Sequence, residues 1–428
     1  MPKRASRADG ESSRELTDLR DSEGLLRVEE SDSYTIEVST RLKRLPPYLF
    51  GKLNAIKHAR RKAGVDLIDL GMGNPSDPTP APIVEKLREA VGDPRNHRYS
   101  VSTGIFNLRR EMARHYARRW GVELDPESEV IATIGSKEGF SHLCLGLLGP
   151  GDTALVPTPW FPIHVYGVVL AGASAINIPV GTDEAFLRRA IDVIENLQPR
   201  PKVWVLNYPH NPTTATVELG FFEEVVAIAR RYNLLVIQDL AYGETVFDGY
   251  RAPSILQVKG AKDLAVEFTT MSKAFNMAGW RIGFCCGNAE MVRALAKIKH
   301  YYDYGIFQPV QIAAIIALRH CQQYAQEQAL TYQQRRDVLC RGLNRLGWKV
   351  TPPRATMFVW APIPERFRHM GSFNFCLKMI EEGAVAASPG AGFGENGEGF
   401  VRFALVENEL RLKQAVRQIG RALGKEPV

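Results

Sequence analysis

Residues 269–284 have the sequence TTMSKAFNMAGWRIGF, in which Arg281 follows Lys273 by eight positions. A desolvated lysine amine can form a Schiff base with an aldehyde. A guanidinium can bind a phosphate group through two parallel hydrogen bonds. Gly279 and Gly283 would let the backbone approach closely on either side. The stretch therefore predicts a pyridoxal phosphate site, although taken alone it also fits a surface lysine and arginine beside a turn.

The composition is that of a globular protein. The chain has 428 residues, 45% of them hydrophobic and 24% charged, and no long apolar run. This length exceeds one ordinary core, so two lobes are expected, with neither a membrane span nor a secretory signal. The net charge of +7 is modest, and basic residues such as Lys57 and Arg61 fall in amphipathic helical patterns without interleaved aromatics. Nucleic-acid binding is therefore not expected.

The cysteines carry information about compartment and metals. They lie in mostly apolar stretches, without Cys-x-x-Cys or Cys/His ligand spacing, at Cys144, Cys285, Cys286, Cys321, Cys340 and Cys376. Reduced core thiols in the cytoplasm explain this usage, and no metal site is expected.

Short β-branched runs alternate with helical periodicities from Leu67 to Val406, which predicts an α/β fold with helices covering a largely parallel sheet. Seven strands are predicted for this sheet, at Val130–Ile134, Thr153–Val156, Ala175–Pro179, Val203–Leu206, Leu234–Gln238, Ala265–Thr269 and Ile282–Cys286. They predict a large domain with a seven-stranded, mostly parallel sheet.

The remaining chain predicts a smaller α+β domain built from N- and C-terminal segments. Its elements are a long helical stretch over 311–346 and strands at Met357–Ala361, Ala384–Ala387 and Phe400–Ala404. The predicted divisions are a polar, flexible extension (1–32), a segment packing on the small domain (33–72), the large cofactor-binding domain (73–305) and the small domain (306–428). The active site would lie between the lobes.

Polar residues follow several predicted strands, where ligands bind in open α/β sheets. After Ile134, Ser136 and Lys137 begin a helix; Ser136 could cap it, and the free N–H groups of the first turn would cradle a phosphate. Many helices begin with Gly-Ser, so this signal is weak by itself.

Three further residues complete the predicted cofactor site. Asn211, in a loop with two X-Pro steps, could donate to the cofactor's phenolic oxygen, or could simply form an Asn-Pro turn. Asp239 could pair with the pyridine nitrogen and make the ring an electron sink. A buried acid at a strand end can equally cap a helix or pair with arginine. Tyr242 could donate to the phenolate.

Thr270 and Ser272 flank Lys273, and the motifs Asn-Pro-Thr, Asp-x-x-Tyr, Ser-Lys and Gly-Trp-Arg-Ile-Gly occur in this order. In these motifs the chain resembles the fold-type I (class I/II) aminotransferases over roughly 34–423. Within that family it resembles the bacterial glutamate–pyruvate (alanine) transaminases and their LL-diaminopimelate aminotransferase relatives, notably in GMGNP (71–75), TIGSKEG (133–139) and VRFALVEN (401–408).

The resemblance implies further roles. Tyr99 would reach the cofactor phosphate of the partner subunit, which implies a homodimer with shared sites. Phe161 would stack on the pyridine ring, where the family commonly has Tyr or Trp. Arg402 would bind the substrate α-carboxylate, and Gly73 and Tyr48 would line the substrate side.

One position departs from the family. Gln308 stands where a small hydroxyl residue is expected, which puts a phosphate or interface contact in doubt.

The sequence thus predicts a homodimeric, pyridoxal phosphate-dependent aminotransferase with Lys273 as catalytic base and acid in a ping-pong reaction. Small amino acids and 2-oxo acids would be its substrates, most simply alanine or glutamate with 2-oxoglutarate or pyruvate. Aspartate, methionine or LL-diaminopimelate remain alternative donors.

A carbon–sulfur lyase on the same fold also remains open, because it would keep Lys273, Asp239 and Asn211. A regulator on this fold is disfavoured, because the N-terminal extension is too short for a DNA-binding module.

Overall fold

The structure, a computed structural model, describes residues 36–46 and 49–425. The predicted extension over 1–32 and Tyr48 lie outside the described residues. Of the described residues, 36–43, which include a one-turn helix, belong to one unit, and those from Arg44 onward belong to the second.

The helices of both units alternate with strands along much of the chain. They are α1 (Thr40–Lys43), α2 (Leu49–Lys62), α3 (Ala81–Val91), α4 (Phe106–Trp120), α5 (Ser136–Leu147), α6 (Pro162–Leu170), α7 (Glu184–Asn196), α8 (Leu219–Tyr232), α9 (Met271–Ala274), α10 (Ala289–Tyr302), α11 (Gln308–His320), α12 (Gln322–Arg345), α13 (Gly371–Gly383) and α14 (Glu409–Ala422).

The strands form three sheets. In chain order they are β1 (Ile68–Asp69), β2 (Val130–Thr133), β3 (Thr153–Thr158), β4 (Ser174–Pro179), β5 (Val203–Asn207), β6 (Leu235–Asp239), β7 (Ala265–Thr270), β8 (Gly283–Gly287), β9 (Phe358–Pro362), β10 (Val385–Ala386), β11 (Ser388–Pro389) and β12 (Phe400–Ala404). Among the described residues, no helix combines the length and apolar character needed to cross a bilayer.

The large sheet has the order β2-β8-β7-β6-β5-β3-β4. Its strands β3 to β7 run parallel, and β8 runs antiparallel to both of its neighbours. All five residues of β5 are buried, as a central strand covered by helices on both faces requires. The predicted seven-stranded, mostly parallel sheet is therefore confirmed.

Helix boundaries follow local sequence signals. The side chains of Asp183, Asn288 and Asn408 accept hydrogen bonds from backbone N–H groups in the first turns of α7, α10 and α14. Gly121 and Asn233 end α4 and α8 in the left-handed conformation that these residues tolerate best. Capping side chains and left-handed residues thus set where these helices begin and end.

The two smaller sheets lie in a separate apolar cluster, which we call the second core. β9, β11 and β12 form an antiparallel sheet, and Ile68 of β1 pairs with Val385 of β10. Leu53 of α2 is buried in the same apolar cluster as Ile380 and Ile419. This arrangement confirms the smaller α+β part of the fold, while the predicted domain boundaries stay predictions.

Two predicted elements differ from the structure. The helical stretch over 311–346 is two helices, because Cys321 leaves the helical conformation (φ −113°, ψ 19°) between α11 and α12. The predicted strand at Ala384–Ala387 is shorter, and Ala384 instead takes a left-handed conformation that ends α13. Apolar periodicity does not register a single non-helical residue, so neither feature is visible in the sequence pattern.

Candidate active site

A cavity of about 310 Å³ lies at the carboxyl ends of the parallel strands. Twelve of the predicted site residues line it: Gly73, Ser136, Lys137, Phe161, Asn211, Asp239, Tyr242, Thr270, Ser272, Lys273, Arg281 and Arg402. Its size is suited to a small organic ligand, and the large sheet and the second core both contribute to its wall.

Lys273 lies in α9, the single helical turn that follows β7. Thr270 begins this turn, and its Oγ1 accepts a hydrogen bond from the N–H of Ser272 (3.2 Å). Lys273 Nζ donates to the carbonyl oxygen of Gly73 (2.9 Å). Burial, together with the charges of Arg402 and Arg281, lowers the pKa of Lys273 from 10.5 to about 8, against the opposing effect of Asp239. A substantial neutral fraction of this amine is therefore present near neutral pH.

An anion cradle is formed where α5 and β8 meet. A Cβ atom on Gly283 would lie 2.7 Å from the backbone nitrogen of Ser136, and one on Gly135 would lie 2.1 Å from Nη2 of Arg281. Only glycine therefore allows β8 to lie this close to the first turn of α5, and the guanidinium of Arg281 to lie this close to Gly135. The free N–H groups of that turn and the guanidinium together suit a phosphate dianion.

One detail of this cradle differs from expectation. Ser136 does not cap α5, because Gly135 occupies the N-cap position (φ 76°, ψ 155°) and Ser136 is already the first helical residue. A Cβ atom on Gly279 would meet no protein atom within 4 Å, so the close approach expected there stays a prediction. The glycines of this cradle that do lie close to other protein atoms are Gly135 and Gly283.

Asp239, the last residue of β6, points its carboxylate into the cavity wall. Its Oδ2 lies 2.9 Å from Nε2 of His164, and its Oδ1 accepts the N–H of Ala241 (3.1 Å). His164 is fully buried in α6 and was missed by sequence reasoning, because no local motif links it to Asp239. An imidazole in this position fixes the carboxylate and can donate to it.

Asn211 joins the cofactor side of the cavity to the substrate side. Its backbone N–H donates to Oδ1 of Asn207 (2.9 Å), and its own Oδ1 accepts from Nη1 of Arg402 (2.7 Å). Since the amide oxygen is held by Arg402, the amide nitrogen is the group of Asn211 that can donate to a ligand. The structure therefore brings Asn211 and Arg402 into direct contact.

Arg402 lies in β12 and is buried. Its guanidinium carbon lies over the rings of Phe358 (4.0 Å) and Phe393 (4.5 Å). These aromatic residues come from β9 and from the loop after β11, so their role depends on tertiary packing and sequence reasoning missed them. Stacking of this kind fixes a guanidinium plane and suits bidentate recognition of a carboxylate.

Tyr242 follows β6 by three residues and also lines the cavity. Its ring packs edge-on against Phe358 at 5.5 Å. Burial raises the pKa of its hydroxyl well above the ordinary value, despite the opposing charge of Arg402. The hydroxyl stays protonated and can act as a donor.

Of the remaining predicted residues, Phe161 lines the cavity, whereas Tyr99 and Gln308 do not. Phe161 packs edge-on against His164 at 5.8 Å. Tyr99 does not line the cavity: it is 84% exposed, and its ring packs at a tilt of 41° against that of Tyr304, with 4.5 Å between the ring centroids. The Nε2 of Gln308 donates to Asn96 (2.8 Å), away from the cavity-lining residues.

One group of potential metal ligands lies close together in the described part of the chain, formed by Glu138, His142 and Asp303. The ammonium group of Lys299 donates to both carboxylates, at 3.1 Å and 3.0 Å. A protein cation therefore already offsets part of the negative charge of this group.

The residues around the cavity fit pyridoxal phosphate. The cradle suits its phosphate, Asp239 can face a ring nitrogen, Asn211 and Tyr242 offer donors for a phenolate, and Lys273 offers an amine of lowered pKa.

Comparisons with known proteins agree with this fit. The family described as aminotransferase class I and II matches residues 65–419. The glutamate-pyruvate aminotransferase AlaC of Escherichia coli is 53% identical over 380 residues, which cover 89% of this chain and 92% of AlaC. An LL-diaminopimelate aminotransferase of Moorella thermoacetica is 43% identical over 91% of this chain and 99% of its own length.

Solved structures show the same relationship. The substrate-bound BacF structure from Bacillus subtilis superimposes with a TM-score of 0.85 at 32% identity, covering 92% of this chain and 99% of BacF. A double mutant of Thermus thermophilus aspartate aminotransferase gives a TM-score of 0.83 at 27% identity, covering 91% of this chain and all of the mutant. This chain therefore belongs to the class I and II aminotransferases, which use pyridoxal phosphate to move an amino group between an amino acid and a 2-oxo acid.

Proposed function

We propose that this aminotransferase transfers the amino group of alanine to 2-oxoglutarate, which gives pyruvate and glutamate, and that it also catalyses the reverse reaction. The convergence of Lys273, Asp239 and Arg402 on one cavity is the observation that carries the reaction type. The substrate pair is supported by the 53% identity to a relative named glutamate-pyruvate aminotransferase. LL-diaminopimelate is the second candidate donor, supported by relatives of that name at 39–43% identity.

Pyridoxal phosphate, when bound, supplies an aldehyde for covalent capture of amines and a pyridinium ring that withdraws electrons from the substrate Cα. In this proposal Ser136, Lys137, Thr270, Ser272 and Arg281 hold its phosphate side.

Lys273 is the residue that captures the cofactor and then moves the proton. Its Nζ, once released, takes the proton from the substrate Cα as a general base and returns it as a general acid on the other side of the transferred nitrogen. The lowered pKa serves both directions, because the amine is neither fully protonated nor fully neutral near pH 8. The second half-reaction repeats these steps in reverse with another 2-oxo acid, which gives ping-pong order.

The other residues orient and polarise. Arg402 binds the α-carboxylate common to donor and acceptor, and Asn211 holds the guanidinium at 2.7 Å. Asp239, supported by His164, keeps a proton on the ring nitrogen, while Asn211 and Tyr242 donate to the ring oxygen. Phe161 packs on the ring, and Gly73 shapes the substrate side, for which Tyr48 is also predicted.

We infer a homodimer from an exposed aromatic patch. The patch consists of Tyr99, Val101, Tyr304 and Phe307, which are 47–84% exposed. The rings of Tyr99 and Tyr304 pack against each other at a tilt, and the backbone of Val101 lies against Gly305. Apolar side chains exposed together in this way are typical of interfaces. The proposed role of Tyr99 at the partner's cofactor phosphate agrees with its position outside its own cavity.

We infer a cytoplasmic location from the cysteines. All six are buried and none forms a disulfide.

Replacement of Lys273 by methionine should stabilise the cofactor-free protein at pH 7. The folded protein releases the lysine proton near pH 8, whereas the unfolded chain keeps it to about 10.5. The loss of folding stability caused by burying the charged lysine is therefore fully present below pH 8, and it is relieved as the pH rises from 8 to 10.5. We expect a gain of up to roughly 3 kcal/mol at pH 7 that shrinks over this window, measured by urea unfolding. Exposed Lys202→Met is the control, and an equal gain at pH 7 and pH 10 would contradict the burial argument.

Borohydride reduction of the holoenzyme should attach the cofactor to Lys273. Peptide mapping is expected to find the label there in the wild type and in Lys137→Ala, which removes the other lysine proposed at the cofactor. Lys273→Ala should lose both the label and nearly all turnover. A label on another lysine would refute the assignment.

A panel of amino donors with 2-oxoglutarate or pyruvate should show alanine and glutamate as the preferred substrates. Arg402→Lys should lower kcat/KM for both by roughly 10- to 100-fold, because a lysine cannot replace the bidentate contact. Preference for LL-diaminopimelate would favour the second candidate. Rapid pyruvate release from a cysteine or cystathionine donor without any acceptor would instead indicate a lyase.

Tyr304→Glu should convert the dimer to a monomer, because the new charge would be desolvated in the proposed interface. Sedimentation measures the mass. Leu330→Glu is the control, since Leu330 is comparably exposed on α12, away from the patch. An unchanged dimer in the Tyr304 variant would place the interface elsewhere.

A further inference from the structure

The crossing segment, residues 70–79, links β1 to the loop before α3 without regular structure and passes along the cavity. The carbonyl oxygen of Gly71 accepts from Oγ of Ser388 (2.7 Å) and lies 3.4 Å from Nη2 of Arg402. The carbonyl oxygen of Gly73 accepts from Nζ of Lys273 (2.9 Å). Two backbone carbonyls of one short segment thus contact the two cations to which substrate binding and proton transfer are assigned.

The crossing segment cannot be fixed by its own side chains at these positions. A Cβ atom on Gly73 would lie 2.7 Å from the ring of Phe358, and one on Gly71 would lie 3.3 Å from the backbone of Ala387. Both positions therefore favour residues without a side chain, and glycine leaves the backbone intrinsically free. The conformation must be imposed from outside the two glycines.

Asp69 supplies this constraint at the start of the segment. Its Oδ1 accepts the N–H of Gly71 (3.0 Å), which is the side-chain-to-backbone bond of an Asx turn. Its Oδ2 accepts from Lys57 (2.9 Å) and from Arg61 (3.0 Å). Both partners lie on α2, one helical turn apart.

The two cations that hold Asp69 differ in environment. The side chain of Lys57 is 6% exposed and lines the cavity, whereas that of Arg61 is 49% exposed. Although burial opposes its charge, the hydrogen bond and charge of Lys57 keep the pKa of Asp69 below its ordinary value. The buried pair is thus charged and weakly screened, while the Arg61 pair is exposed and screened by solvent.

The far end of the crossing segment is held separately. The carboxylate of Asp77 makes a two-point contact with Arg335 (2.6 and 2.7 Å) and accepts from Gln328 (2.8 Å). Asp69 and Asp77 are therefore two side-chain anchors of the segment, in addition to its contacts through Leu70, Gly71 and Ser76, and Asp69 is the anchor that accepts the N–H of Gly71.

We propose that the Lys57–Asp69 ion pair positions the crossing segment. The carbonyl groups of Gly71 and Gly73 in this segment then fix where the side chains of Arg402, which binds the substrate, and Lys273, which carries the proton, are held. Lys57 and Asp69 are positioning residues, which act through Gly71 and Gly73. This inference rests on the proposed roles of Arg402 and Lys273.

The test compares Asp69→Asn and Lys57→Met with Arg61→Gln in the holoenzyme. Asp69→Asn keeps an oxygen for Gly71 but removes the charge, Lys57→Met removes the buried partner, and Arg61→Gln removes the exposed partner of the same oxygen. Displacement of the carbonyls should lower kcat/KM by roughly 10- to 100-fold in the first two variants. Arg61→Gln should stay within about twofold of the wild type.

Two readouts distinguish positioning from a purely structural role. Binding of propionate, which has a carboxylate but no amino or keto group, should weaken roughly tenfold through the displaced arginine. The primary isotope effect with α-deuterated alanine in a single half-reaction should rise, because proton transfer becomes slower relative to the other steps. Both are expressed per folded molecule, with unfolding midpoints measured in parallel.

The proposal would be overturned if the loss of kcat/KM only followed the fraction of folded molecules, with propionate affinity and the isotope effect unchanged. It would also be overturned if Arg61→Gln lowered kcat/KM as much as the other two variants do. Failure of the proposed function would look different, because Lys273→Ala and Arg402→Lys would then retain turnover. If those two variants lose turnover while Asp69→Asn behaves as Arg61→Gln does, only the positioning inference fails.

Discussion

The register between β5 and β6 is the constraint on which the site depends. Asn207 lies opposite Asp239 at the carboxyl ends of these strands, and its amide nitrogen donates to the carbonyl of Asp239 (2.8 Å). The oxygen of the same amide holds the N–H of Asn211. One buried side chain thus joins the two strand ends and the loop after β5. A shift of one residue would turn Asp239 to the other face of the sheet.

From this point the polar contacts extend in two directions. Asp239 leads to His164 in the helix layer, and Asn211 leads to Arg402 in the second core. The cavity is therefore assembled from elements far apart in sequence. Asp239 and Arg402 are each held by a hydrogen-bonded partner from another element, as preorganised sites require.

The sequence predicted the strands of the large sheet to within about two residues, because buried parallel strands are short apolar runs bounded by polar turns. It also identified twelve cavity-lining residues. Most of them follow strand ends, which converge in such sheets, whereas Gly73, Phe161 and Arg402 were implied by the resemblance to the family. It could not predict His164, Phe358 or Phe393, which reach their partners only through tertiary packing. Ser136 was misplaced as a cap because Gly135 can adopt the backbone conformation that the cap position requires.

The stacking of Arg402 also bears on the shape of anion that the site accepts. With rings of Phe358 and Phe393 against its π-face, the guanidinium presents N–H groups only along its edge. A flat, two-oxygen group can lie in that plane and meet two N–H groups at once. A tetrahedral sulfonate or phosphonate would direct an oxygen toward an aromatic ring. The packing of Phe358 and Phe393 around Arg402 therefore disfavours such carboxylate mimics.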